Sequence, residues 1–183
     1  MYQQIIVMAL RLFFDTETTG FSPTKNRIVS IALIVYDIDA RRANDHIEEF
    51  YEIIKATDFR IEKWHKSTQI HGITQEISNA QGVSFARVIS LLEDQLPNVV
   101  QIVGHNIEFD RAFLIAELMR AGRNDLVAIL STIPAYCTMR ANTDNSRALK
   151  LTALYEKKFG HAFVGAHNAL SDITATAEIY FNR

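Results

Sequence analysis

Four acids and one histidine stand out by type and spacing. Asp15 and Glu17 lie one residue apart in Leu12-Phe-Phe-Asp-Thr-Glu-Thr-Thr-Gly20, at the end of an apolar run. Alternate side chains of an extended chain share a face, so the two carboxylates point the same way. Asp110 follows the turn Gly104-His105-Asn106, and Asp172 closes His167-Asn-Ala-Leu-Ser-Asp172. Taken singly, the Asp-x-Glu pair reads as a solvated strand edge, and Asp110 and Asp172 as first-turn acids that complement a helix dipole. Together they are costly. Two unit charges about 4 Å apart repel by roughly 4 kcal/mol at an effective dielectric of about 20. Several such repulsions rival the whole stability of a domain, about 5–15 kcal/mol. If the four converge, protons or cations must neutralise them. All-oxygen donors suit hard divalent ions such as Mg²⁺ or Mn²⁺, and a pair of such ions is a recurrent device for phosphoryl hydrolysis.

The elements that must position these groups are legible in outline. Residues 8–15, 28–37 and 46–54 are apolar or alternating runs rich in Ile, Val, Phe and Tyr, joined by short polar links. They predict three strands in an antiparallel meander. Residues 84–96 carry apolar side chains at helical spacing behind a capping Ser84. Residues 99–103 read as a short buried strand, 108–121 as an amphipathic helix stopped by Gly122, and 134–138 as a last short strand. Helices are expected over 149–158, closed by Gly160, and over 169–181. Strands first and then strands alternating with helices predict an α/β fold, a mixed sheet with helices packed on it. No Pro/Gly/Ser-rich linker divides the chain, so residues 1–183 are read as a single domain.

Composition excludes several classes. With 48% hydrophobic and 22% charged residues among 183, the chain has the make-up of an ordinary globular protein. The apolar run 5–14 is too short to span a bilayer and contains Arg11. It also lacks the basic start and cleavage site of a signal peptide. No membrane partner is expected. The lone Cys137 cannot form an internal disulfide, and the default reading is a reducing, cytoplasmic setting. A net charge of −2 gives no basic footprint for nucleic acid.

The segments Phe14-Asp-Thr-Glu-Thr-Thr-Gly20, Val103-Gly-His-Asn-Ile-Glu-Phe-Asp110 and His167-Asn-Ala-Leu-Ser-Asp172 resemble the three exonuclease motifs of the DEDD superfamily, histidine subclass (DEDDh). That family includes proofreading subunits of bacterial replicative polymerases, RNase T and oligoribonuclease-like enzymes. Ile70-His-Gly-Ile-Thr74 resembles a segment that the proofreading subunits carry between the first two motifs. The resemblance implies an RNase H-like fold, a mixed five-stranded sheet flanked by helices, and metal-dependent removal of nucleotides from a 3′ end. It implies two divalent ions, Mg²⁺ or Mn²⁺, the first held by Asp15, Glu17 and Asp172. Asp15 would bridge to the second, with Asp110 supporting it directly or through water. His167 would be the general base. For the terminal nucleotide it implies contacts from Thr18 and the local backbone, with Thr16, His71 and Phe109 as further candidates.

Physical arguments stand beside these assignments. Residues five apart do not share a helical face, so His167 belongs in the loop before the helix of Asp172. Gly165 and Ala166 make that loop small and able to close over substrate. An imidazole titrates near about 6.5, suited to a base at neutral pH. Bound cations would invert the sign of the acidic pocket. Arg111, Arg140, Arg147 and Lys150 are then candidates to guide a few nucleotides, each otherwise a plain surface charge. Trp64 is expected to pack a helix, Cys137 to lie in the buried last strand, and Asn106 to serve the turn or cap. His46, His65, His105 and His161 show no zinc-ligand spacing.

The reading is a 3′→5′ exonuclease acting on single-stranded DNA ends and releasing 5′-mononucleotides. The alternatives are an enzyme trimming RNA ends and a non-catalytic nucleic-acid-binding module, the latter disfavoured because all five motif residues are present. A glycosidase with paired carboxylates explains neither four acids nor the threonine-rich turn. A polymerase partner stays open, though the chain stops at Arg183 without the C-terminal extension that proofreading subunits use.

Overall fold

The first strand is hydrophobic on both faces because both are covered. The structure, a computed structural model, describes residues 9–143 and 147–182. In chain order it runs β1 (Leu10–Thr18), β2 (Ile28–Asp37), β3 (His46–Ile53), α1 (Lys66–His71), α2 (Gln75–Gln81), α3 (Phe85–Gln95) and β4 (Val99–Gly104). There follow α4 (Ile107–Arg120), α5 (Asn124–Thr132), β5 (Ala135–Cys137), α6 (Thr138–Ala141), α7 (Leu151–Phe159) and α8 (Ala169–Phe181). The strands form a five-stranded sheet in the order β3-β2-β1-β4-β5. Pairings β1–β2 and β2–β3 are antiparallel, and β1–β4 and β4–β5 are parallel. The mixed sheet is as expected.

One face of the sheet packs Leu10, Leu12 and Phe14 against apolar residues of α3, α4 and α5. The other packs Phe13, Ala32, Ile34 and Tyr36 against Ala169, Ile173, Ala177 and Tyr180 of α8. Central β2 is buried on both sides from Ile28 to Tyr36, hence its unbroken apolar sequence. Edge strand β3 carries Glu48, Glu49 and Glu52, charges that discourage pairing with another chain. No helix among the described residues is long and apolar enough to cross a membrane.

The differences from the sequence-based expectation are local. The first strand was expected over 8–15; Met8 lies outside the described residues, and β1 runs on to Thr18. It can do so because β2 pairs with it throughout that length, with a bulge between Glu17 and Thr18. Helices α1, α2, α5 and α6 lie outside the sequence-based expectation. The first two are short and carry few apolar residues, and capping makes them: Thr74 accepts from Ile77 N–H, and Gly72 ends α1 in a left-handed conformation at φ 74°. Helix α7 begins at Leu151 rather than at residue 149 because the Leu149 carbonyl is taken by the His105 ring, 3.1 Å away. Trp64 packs no helix: it is 81% exposed in the loop before α1, with Lys63 Nζ 5.6 Å from its ring centre. Cys137 is buried at the end of β5, as expected.

Candidate active site

Strand β1 outruns its parallel neighbour. Its pairing with β4 ends at Phe13 opposite Val103, whereas its pairing with β2 continues to Thr18. Gly104 ends β4 so close to β1 that a Cβ there would sit 3.1 Å from the Phe14 carbonyl oxygen and 2.7 Å from Ile107 Cδ1. Past this point the β4 side of β1 has no strand to satisfy it. Asp110, in the first turn of α4, supplies the acceptor: its Oδ1 receives both the Thr16 N–H at 2.9 Å and the Thr16 hydroxyl at 2.7 Å. A freed strand edge thus becomes the seat of a carboxylate that is only 3% exposed.

The other acids reach the same place from the opposite face. Asp15 and Glu17 alternate with the buried Thr16 and Thr18 and point to the side covered by α8. Asp172 lies in the first turn of α8, capped by Asn168, whose Oδ1 accepts from the Leu170 and Ser171 N–H groups. Ligand atoms of Asp15, Glu17 and Asp172 all lie within 4.8 Å of one another. Asp110 stands next to this trio, close enough to act on Asp15 and Glu17 through its charge.

The electrostatic consequences follow the burial. Loss of water, then the charges of Asp110, Asp172 and Glu17, push the Asp15 carboxyl well above the ordinary carboxylate range. Burial, followed by Asp172 and Asp110, raises Glu17 to about 8. Burial raises Asp110 to about 7 against the lowering effect of the two Thr16 bonds. Asp172 is raised to about 6, again mainly by burial, with the His167 N–H pulling the other way. By itself the protein tolerates this cluster only partly protonated. The trio therefore fits a divalent cation: three carboxylates with convergent oxygens and no ion pair to Lys or Arg among the described residues.

His167 sits in the loop before α8, as expected, and its N–H donates to both Asp172 oxygens at 3.2 and 3.3 Å. Its backbone is left-handed, φ 69°. Among the described non-glycine residues Asn106 alone shares that conformation, at φ 66°. Both line one cavity of about 450 Å³, together with Asp15 and Asp172. Strain of this kind costs about 1–3 kcal/mol per residue and concentrates at functional sites. A larger cavity of about 560 Å³ lies along α8 beside Tyr155, Phe163 and Glu178 and contains none of the acids of this cluster.

The expected substrate contacts divide. The Thr16 hydroxyl is spent on Asp110, and the Thr18 hydroxyl donates to the Gly20 carbonyl at 2.7 Å, so both shape the strand end. His71 Nδ1 accepts from Ile73 N–H at 3.0 Å. Burial lowers its ring to about 4, partly offset by the nearby Thr18 backbone, and Nε2 is buried outside hydrogen-bonding geometry. Phe109 is half-buried with its ring 4.8 Å from that of Phe113, on the core side of α4. Asn106 holds the cap position of α4 without a side-chain capping bond. Of the basic candidates, Arg111 donates to the Leu130 carbonyl, Arg140 lies 4.0 Å from Glu108, Arg147 is exposed, and Lys150 lines the cavity.

His105, a histidine without zinc-ligand spacing, also lines the cavity. Its Nε2 lies 3.1 Å from the Leu149 carbonyl and its Nδ1 3.0 Å from the Thr138 hydroxyl. A carbonyl only accepts, so Nε2 bears the proton. Burial lowers the ring's pKa, and the neutral ring accepts from Thr138. The sequence signal was its adjacency to Asn106 in the second motif.

Comparison with known proteins accords with this geometry. The family model described as an exonuclease family of the RNase T type matches residues 12–180, and the chain belongs to that family, within the DEDD superfamily. It is 27% identical over 172 residues to the PolC-type DNA polymerase III of Clostridium perfringens, covering 91% of this chain and 10% of that protein. It is 23% identical over 175 residues to the oligoribonuclease of Neisseria meningitidis serogroup B, covering 91% of this chain and 86% of the relative. The chain thus spans about a tenth of the polymerase. The zinc-bound complex of Escherichia coli exonuclease I with single-stranded DNA superposes with a TM-score of 0.75 at 23% identity, covering 95% of this chain and 40% of the other. The fold is RNase H-like, as expected.

Proposed function

We propose that this chain is a 3′→5′ exonuclease that hydrolyses the terminal phosphodiester of a single-stranded DNA end and releases 5′-mononucleotides. The observation that carries the reading is the convergence of Asp15, Glu17 and Asp172 within 4.8 Å, beside His167, in a chain of the exonuclease family. Asp15, Glu17 and Asp172 would hold Mg²⁺ or Mn²⁺, with Asp15 shared toward a second ion. When bound, such ions stabilise negative charge on the attacking and leaving oxygens of the displacement.

The remaining steps belong to the protein. His167 stands in the exposed loop that lines the cavity and accepts the proton of the attacking water at a ring nitrogen. Water adds to phosphorus, the bond from phosphorus to the 3′-oxygen of the penultimate nucleotide breaks, and the terminal nucleotide departs with its 5′-phosphate. Asp172, bonded to the His167 backbone, fixes where that loop joins α8. Asp110 holds the end of β1 through Thr16 and so fixes the direction of Asp15 and Glu17.

The test is release of 5′-mononucleotides from a 3′-labelled oligonucleotide with Mg²⁺ or Mn²⁺. The Asp15→Ala protein should release none, and equal rates would end the assignment. His167→Ala should lose about 10²–10⁴-fold in rate, the usual worth of a general base, while still binding Mn²⁺ by calorimetry. A second reading, trimming of RNA ends, is favoured by the oligoribonuclease relative, matched over 86% of its length. Turnover of matched DNA and RNA oligonucleotides separates the two.

A further inference from the structure

Among the described residues, the cavity that holds Asp15, His167 and Asp172 is lined by one Lys or Arg, Lys150. Its side chain is exposed and forms no ion pair among the described residues, although carboxylates lie in the same cavity. A flexible lysine would ordinarily fold onto unpaired acids. Its backbone is restrained: the preceding residue, Leu149, gives its carbonyl to His105 Nε2 at 3.1 Å, and His105 is tied through Nδ1 to the Thr138 hydroxyl at 3.0 Å. Thr138 is fully buried, and its hydroxyl also lies 3.3 Å from the Gly104 carbonyl oxygen. A chain of contacts therefore runs from the end of β4, through His105, to the residue that precedes Lys150.

Resting on the exonuclease reading, we propose that Lys150 binds a non-scissile phosphate of the substrate strand and that His105 is the positioning residue that holds it in place. The scissile phosphate belongs at the acid cluster, where cations neutralise it. A strand entering the same cavity brings further phosphates, and Lys150 is the cation there to meet them. An ammonium suits this role as a mobile point charge that does not demand one geometry. The contact is independent of base sequence, as a nuclease that advances one nucleotide at a time requires.

The experiment uses the full chain and a 5′-labelled single-stranded oligonucleotide. KM and kcat are measured across a salt series, and binding by fluorescence anisotropy with Ca²⁺ replacing the working ion. Lys150→Ala should raise KM and Kd about tenfold with kcat within about twofold, and flatten the slope of log Kd against log salt by about 0.7, the share of one phosphate on a single strand. Lys150→Arg should restore most of the affinity. Lys158→Ala, at the other end of α7 where it lines a separate cavity, should leave KM, kcat, Kd and the salt slope unchanged. His105→Ala should weaken binding, and adding it to Lys150→Ala should weaken binding no further. His105→Gln keeps a donor for Leu149 and guards against misfolding. An unaltered salt slope in Lys150→Ala overturns the phosphate contact, and additive losses overturn the positioning role. Failure of the wild-type chain to release nucleotides sinks the exonuclease reading, while the anisotropy series still decides the fate of Lys150.

Discussion

Helix α4 buries two carboxylates on one face, two turns apart, and treats them in opposite ways. Asp110 and Glu117 are each only 3% exposed. Glu117 meets Arg27 Nε at 2.8 and 3.1 Å, Arg120 at 3.2 Å and the Ile28 N–H at 3.2 Å. Arg27 extends the set to Asp58 and lies over the Phe59 ring, and Arg120 donates to the Pro23 carbonyl. That group closes on itself and pins the loop between β1 and β2. Asp110 has neutral donors only, from Thr16, and faces three more acids. Glu117 is a structural charge because its partners are built in. The cluster at the end of β1 is left with its charge unmatched, and that deficit is what makes it able to take up cations.

The comparison breaks most visibly under substitution at Glu117. Glu117→Ala leaves Arg27, with an 18% exposed side chain, short of its main partner. Breaking a buried pair from one side costs about 3–5 kcal/mol, to be read as a lower midpoint in urea at unchanged slope. Asp15→Asn should act in reverse. It should abolish nucleotide release by at least about a hundredfold, since each 1.36 kcal/mol is about a factor of ten and metal stabilisation is worth several kcal/mol. In metal-free buffer at pH 8 it should raise the melting temperature, because a neutral amide removes repulsion that wild type carries. A stabilised Glu117→Ala protein or a destabilised apo Asp15→Asn protein would erase the distinction.

What the sequence made legible follows the same division. The acids were visible because their spacing is local: Asp15 and Glu17 alternate along a strand, and the interval from His167 to Asp172 places a loop before a helix. Strand β2 and helix α8 were readable because burial leaves an unbroken apolar run in the one and an apolar face in the other. Glu117 with Arg27 was not legible, because partners 90 residues apart leave no periodic trace. The commitment of Thr16 to Asp110 was hidden for the same reason. The hydroxyl bond from Thr16 depends on β4 stopping short of the end of β1, which no local pattern reports. Trp64 was misplaced because a large aromatic carries a strong prior for burial, and nothing local reveals a loop that leaves it in solvent.

The raised carboxyls sharpen the comparison through pH. A carboxyl lifted from its ordinary value near 4 to about 6, 7 or 8 (Asp172, Asp110 and Glu17) keeps in the folded chain a proton that the unfolded chain has lost. The folded state then binds more protons, so this contribution to stability is present at low pH and disappears as pH rises through the folded values. His71, lowered to about 4, has the opposite sign, but its effect ends near the ordinary histidine value. Between about pH 6.5 and 8.5, above the usual imidazole range, the metal-free protein should lose several degrees of melting temperature. Saturating Mn²⁺ should remove the slope, because bound cations replace the protons. A flat metal-free profile would mean that the acids do not interact as their placement implies.

The smallest expected effect probes how Asp110 is compensated. Thr16→Val keeps the shape of the buried side chain and the backbone N–H bond to Asp110 but deletes the hydroxyl bond at 2.7 Å. A single hydrogen bond contributes about 1 kcal/mol net, and Thr16→Ser should recover it. The loss should grow with pH, since the hydroxyl favours the ionised carboxylate, and nucleotide release should fall only a few-fold because the Asp15 and Glu17 side chains remain. If Thr16→Val instead costs as much as Glu117→Ala, neutral donors are carrying the full charge of Asp110. The end of β1 would then be internally balanced like the arginine cluster two turns away, and its need for cations would lose its physical basis.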